Sequence, residues 1–261
     1  MFDVTAFDYM EDNLMTSNSL IIKLVDKRHL HQFLKVGELH FGTTVQYQEI
    51  ENSGKNCGIG DRLEGDYDPI IKTTGILKRT VNFPKKLHFF RPANIFCTTQ
   101  LRPGIETNEF IKPEVIKGLY ESLMSDTNYP KQIVLFKDYN VIHSRIVNKL
   151  QTIFVESGSE HMEGPVIYSN VRAIDAELLG QKLNPREPRM KSAVSTINLV
   201  KDRKFEIEKE YRYVLFPSEG MKQRLQKHHN NIYIGNLEDQ AVLIDSVDEL
   251  QSSIQITFGY Q

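Results

Sequence analysis

Cysteine is scarce in this chain: there are two in 261 residues, Cys57 and Cys97. A chain of this length buries a sizeable core without disulfide or metal staples, and so few thiols point to a reducing, cytoplasmic setting. Long apolar runs are also missing. The run Leu20–Val25 is broken by Lys23 and ended by Asp26, far short of the roughly 18–20 apolar residues of a membrane span. Met1-Phe2-Asp3-Val4 lacks the basic-then-apolar order of a signal peptide, and residues 1–18 read as an acidic leader. No charge sign dominates: 32 basic side chains face 34 acidic ones, for a net charge of −2. That balance gives no global pull towards polyanions, so neither a membrane nor a nucleic acid is an expected partner.

Several motifs are absent as well. No G-x-x-x-x-G-K-[ST] or G-x-G-x-x-G loop occurs, and Cys57-Gly58-Ile59-Gly60 has too few glycines to serve as one. His29 and His31 alternate and His228-His229 are adjacent, but no Cys/His spacing matches a zinc site, so no metal is expected. Cys97 as a nucleophile would need a base such as His40 or His88; a buried free cysteine is the commoner reading. There is no internal repeat or linker, which leaves one domain over residues 19–261.

The patterns present are strands mixed with helices. Leu20–Val25 reads as a strand, followed by Asp26 as an N-cap, a helix through Leu30, Phe33 and Leu34, and Gly37 as its stop. A strand at 38–43 and a helix at 45–51 follow, then hairpin-like spacing over 70–90 and a strand at 94–101 that ends in hydroxyls. Helices are expected at 113–124 and 138–154 and a basic one at 218–229, with strands at 132–136 and 164–171 and closing strands near 232–235, 241–244 and 254–258. The expected fold is α+β, with a curved, mostly antiparallel sheet and the helices at 113–124 and 138–154 packed on one face.

One stretch organises the rest, Lys204–Phe216. At a period of two, Phe205, Ile207, Tyr211, Tyr213 and Leu215 share one face, and Glu206, Glu208, Glu210 and Arg212 share the other. A row of carboxylates is tolerable in water; buried, it demands a cation or a raised pKa, as in sites that recognise hydroxyls or developing positive charge. Glu208 and Glu210 are the candidate catalytic pair, with Arg212 able to pair with Glu210 or with a phosphate. Arg62, flanked by Asp61, Glu64 and Asp66, is expected to bridge its loop to an acid of this strand.

The order Gly37-x-Leu39-x-Phe41-Gly42, Asp61-Arg62-Leu63-Glu64-Gly65 and Glu208-x-Glu210-Tyr211-Arg212 resembles an uncharacterised family of bacterial and phage proteins, which implies a conflict or defence setting. A second resemblance is to the ADP-ribosyltransferase fold, which uses a Glu-x-Glu pair on a late strand and a hydroxyl-bearing strand to hold NAD. The resemblance implies NAD as the cofactor, with Glu210 accepting the ribose 2′-hydroxyl and Glu208 orienting or deprotonating the acceptor, which could be a protein. It also implies Thr98, Thr99, Arg62, Arg212, His40 and Lys23 as contacts to the nucleotide, Lys23 standing where that fold places an early-strand cation. The alternative is a non-catalytic module that binds a nucleotide, another small-molecule ligand or a protein.

Overall fold

The computed structural model describes residues 20–52, 71–72, 80–81, 92–101, 113–124, 130–168, 197–201 and 203–258. The acidic leader, the Cys57 loop, the Arg62 segment and the Pro/Arg stretch at 184–191 lie outside the described residues. In chain order the elements are β1 (Leu20–Asp26), α1 (Leu30–Val36), β2 (Glu38–His40), β3 (Gly42–Thr43), α2 (Thr44–Asn52), β4 (Ile71–Lys72), β5 (Thr80–Val81), β6 (Asn94–Leu101) and α3 (Pro113–Leu123). The second half comprises β7 (Lys131–Phe136), α4 (Tyr139–Ser157), β8 (Glu160–Pro165), β9 (Ile167–Tyr168), β10 (Val200–Lys201), β11 (Glu210–Phe216), α5 (Glu219–Lys227), β12 (Asn231–Tyr233), β13 (Ala241–Ile244) and α6 (Val247–Phe258).

The fold is α+β. Its main sheet runs β13-β7-β1-β6-β11-β8, with β3 also on β6, and its strand pairs are antiparallel. The parallel pair among the described residues is the short β9–β10 ladder. Central strands are apolar at both parities because both sheet faces are covered. Ile21, Val25, Phe96, Val134, Phe136, Tyr211 and Tyr213 pack under α4, α1 and α5, whereas Leu20, Ile22, Leu101, Ile133 and Leu135 pack under α3 and α6. The helices at 113–123 and 139–157 therefore lie on opposite faces, contrary to the one-face expectation. The consecutive apolar residues of Leu20-Ile21-Ile22 need cover on both sides.

Local chemistry explains the boundaries. Asp138 caps α4 by accepting from the Asn140 and Val141 amides, and its buried stripe of Tyr139, Ile142, His143, Ile146, Leu150 and Ile153 follows the helical period. Asp26 does not cap α1; it is held by the Arg28 amide and guanidinium, and His29 occupies the cap position without a side-chain bond. The strand expected at 254–258 is instead the C-terminal part of α6. Ser246 Oγ accepts from the Glu249 amide while Glu249 Oε2 accepts from the Asp245 amide, a reciprocal cap that starts a helix.

Gly37 ends α1 in the left-handed region at φ +62°. A Cβ there would overlap the carbonyl of Gly235, whose own amide donates to Val36 O at 3.2 Å. Gly37→Ala therefore combines a left-handed strain of about 1–2 kcal/mol with a backbone clash. Chemical denaturation is expected to show a loss larger than that strain alone, with Gly220→Ala, whose Cβ meets nothing within 4 Å, as the near-neutral control.

Candidate functional site

The organising stretch is not one strand. Arg203–Glu208 forms a 3₁₀ turn, Lys209 takes φ +44°, and the strand proper starts at Glu210. The even row of carboxylates expected from a period of two is thereby broken. Glu206 turns outward to Arg203, and Phe205 becomes a plate under two ammonium groups, Lys201 at 4.3 Å and Lys204 at 4.6 Å from its centroid. The turn has an electrostatic cause: it folds Glu208 back so that one cation reaches both acids. Lys201 Nζ donates to Glu208 Oε2 at 2.7 Å and to Glu210 Oε1 at 2.7 Å.

The remaining Glu210 oxygen is held by its own strand neighbour. Arg212 Nε donates to Glu210 Oε2 at 2.9 Å, and Arg212 Nη1 donates to the Asn198 carbonyl at 2.8 Å. The Glu210 amide donates to the Tyr168 hydroxyl at 2.7 Å, tying the acid's backbone to β9. These side chains are deeply placed: Lys201 is 3%, Arg212 2%, Glu210 11% and Glu208 15% exposed. Ions this dry are stable only when paired and hydrogen-bonded, a condition the network meets.

Burial and charge separate the two carboxyls. For Glu210, burial would raise the pKa, but the Lys201 and Arg212 cations outweigh it and hold the group below the ordinary range, ionised. For Glu208, burial and the Glu210 charge raise the pKa, to about 8, with Lys201 opposing. Such a pair of acids with pKa values pushed apart is the arrangement by which one site keeps a fixed charge beside a mobile proton. Lys201 stays charged, since the two carboxylates overcome its burial.

Beside this cluster the sheet opens. β1 pairs with β6 through Leu20, Ile21 and Ile22 only, although its ladder to β7 continues to Asp26. On the same edge of β6, β3 takes Ile95 and Asn94. Between them, Lys23 on β1 sends Nζ to the Cys97 carbonyl at 2.6 Å and lies 4.5 Å from the Phe96 centroid. Burial lowers the Lys23 ammonium, while the charge of Glu210 draws it the other way. Cys97 is no nucleophile at neutral pH, because burial pushes its thiol up to about 12.

Lys23, Thr98, Thr99, Glu210 and Arg212 thus come from three adjacent strands, β1, β6 and β11, with Glu208 folded in from the turn. Thr99 is the direct partner of Glu210 and shares its face. Thr98 faces the other way and donates to the Tyr211 carbonyl at 3.3 Å. Arg212 is consumed in positioning Glu210. His40 sits exposed on β2, paired with Asn231 Oδ1 at 3.0 Å on β12, and belongs to that separate ladder. Arg62 lies outside the described residues. Lys201 and Tyr168 were not singled out from sequence; the basic run Lys201-x-Arg203-Lys204 before the acids was the signal for the lysine.

No family model, curated protein or solved structure matches this chain. Among the described residues no group of three or more metal-ligating side chains is placed to hold an ion, and no helix is long and apolar enough to cross a membrane.

Glu210→Gln removes the one negative charge that both buried cations share. Glu210 neutralises two buried cations, so its replacement should cost about 3–5 kcal/mol, the range for breaking a buried pair. Glu208→Gln should behave differently. A raised folded pKa means the native state keeps a proton that the unfolded chain has lost, so this contribution falls as pH rises from 4.5 to about 8. Melting temperatures across that range should show wild type losing stability relative to Glu208→Gln; parallel curves would contradict the assignment.

Proposed function

We propose that the protein binds a nucleotide at the opening between β1 and β6 and cleaves NAD there, as an ADP-ribosyltransferase-like or NAD glycohydrolase-like enzyme. The observation that carries this reading is the pairing of Thr99 and Glu210 as direct cross-strand neighbours on one sheet face beside the β1–β6 opening, with an ionised Glu210 and a Glu208 of raised pKa sharing one ammonium. An ionised carboxylate has about four lone-pair sites, and the cations use two on Glu210, which leaves acceptor capacity for a ribose 2′-hydroxyl. Fixed in place by Lys201 and Arg212, that charge offsets the positive charge that develops on the ribose as the bond to nicotinamide breaks. Nicotinamide leaves with the bonding pair, an acceptor oxygen or nitrogen attacks the ribose carbon, and Glu208, in the ionised form that grows in as pH rises towards about 8, takes the acceptor's proton.

A second reading has its own support: both Glu210 oxygens are already engaged by cations, as in a structural network that carries a non-catalytic nucleotide- or protein-binding module. The test separates the two. Incubation with NAD should raise the melting temperature and release nicotinamide, and Glu208→Gln and Glu210→Gln, assayed well below their own melting points, should slow release by roughly 10²–10³-fold. A melting shift without release supports the binding module. No shift and no release overturns the nucleotide reading.

A further inference from the structure

The other face of β11 carries a second buried polar cluster, which the proposed function does not use. His143 on α4 is 3% exposed, and its Nδ1 lies 3.2 Å from Tyr139 OH and 3.1 Å from Tyr213 OH. Its Nε2 faces Glu163 Oε1 on β8 at 3.6 Å, a contact too long for a hydrogen bond. Glu163 Oε2 and Tyr211 OH are buried with no hydrogen-bond partner. Among the described residues, the titratable groups around the pair are Tyr139 from α4, Tyr211 and Tyr213 from β11, and His161 two residues before Glu163 on β8; Lys23 of β1 lies over Phe96 on the same sheet face.

We propose that Glu163 and His143 form a one-proton switch beneath α4: a carboxylic acid facing a neutral imidazole, whose ionisation reverses the hydrogen bond between His143 and its tyrosines. An ion pair buried here would close to roughly 2.7–2.9 Å, and the observed gap is wider, so the two groups face each other without forming an imidazolium–carboxylate pair. In the protonated state the Glu163 O–H points at Nε2, so the imidazole carries its proton on Nδ1 and donates to a phenol oxygen. When the carboxyl loses its proton to solvent through its 26% exposed side chain, Nε2 must carry the hydrogen towards the carboxylate. Nδ1 then accepts from a phenol. The imidazole holds one proton throughout, and the cluster as a whole loses one.

The electrostatics agree with this assignment. Burial pushes Glu163 up to about 7 and lowers His143, so the carboxyl ionises near neutrality while the imidazole stays uncharged. Buried phenols Tyr211 and Tyr213 have raised pKa values and keep their hydrogens. The switch links α4 to β8 and β11, the strand whose other face holds Glu210, and it stands whether or not NAD is the ligand.

Nitrogen NMR of the full chain labelled at histidine tests it, with the His143 signals among the eight histidines identified by their loss in His143→Gln. As pH rises through about 7, His143 should remain neutral and exchange a protonated Nδ1 for a protonated Nε2. Glu163→Gln, whose amide can donate to Nε2 at every pH, should hold the Nδ1-protonated form throughout. Formation of an imidazolium at 143 with an ordinary midpoint near 6.5, one tautomer at all pH values in wild type, or an unchanged switch in Glu163→Gln would each overturn the proposal. Should Glu163→Gln fail to fold, the wild-type titration alone decides.

Discussion

Lys201 is the cation on which the acid cluster depends. Glu208 and Glu210 point to the same place inside a protein, and two carboxylates about 6.5–7 Å apart on a regular strand would repel without relief. One ammonium within 2.7 Å of both removes the conflict, but only if the chain bends. The left-handed Lys209 and the 3₁₀ turn before it are the backbone consequence, a strained residue sustained by the ion pairs around it. Arg212 and Tyr168 complete the arrangement by fixing the second oxygen and the backbone amide of Glu210.

The same strand divides two kinds of chemistry. Its Glu210 and Arg212 face the ion network, whereas Tyr211 and Tyr213 face the aromatic cluster under α4. Strand alternation puts these chemistries on opposite sides of one backbone, so each is shielded from the other while both depend on the position of β11. The opening between β1 and β6 adds the third feature. Lys23 satisfies the Cys97 carbonyl in place of an amide from a neighbouring strand, so the sheet separates there without an orphaned acceptor.

Much of this was legible in the sequence. The strands at 20–26, 94–101 and 131–136, the Gly37 stop and the stripe of α4 follow from local periodicity and capping, and they appear within a few residues of their expected bounds. Tyr211 is core and Arg212 does pair with Glu210. The break at Lys209 was hidden because Phe205, Ile207 and Tyr211 alternate as a strand would, and only the three-dimensional position of Lys201 makes a turn cheaper than extension. Ile254 and Ile256 misled in the same way, although Ser246-x-x-Glu249 was a readable helix start. Which face α3 and α4 take, and that β1 lies beside β6, are tertiary facts that no local pattern encodes.

A double-mutant cycle between Lys201 and Glu210 tests the central claim most directly, with stability measured for Lys201→Met, Glu210→Gln and the pair. If one buried ammonium holds the acids together, the two substitutions are strongly coupled: the double variant should be less destabilised than the sum of the singles by about 1.5–3 kcal/mol. Additive losses within about 0.5 kcal/mol would mean that the two side chains do not depend on each other, and would contradict the account.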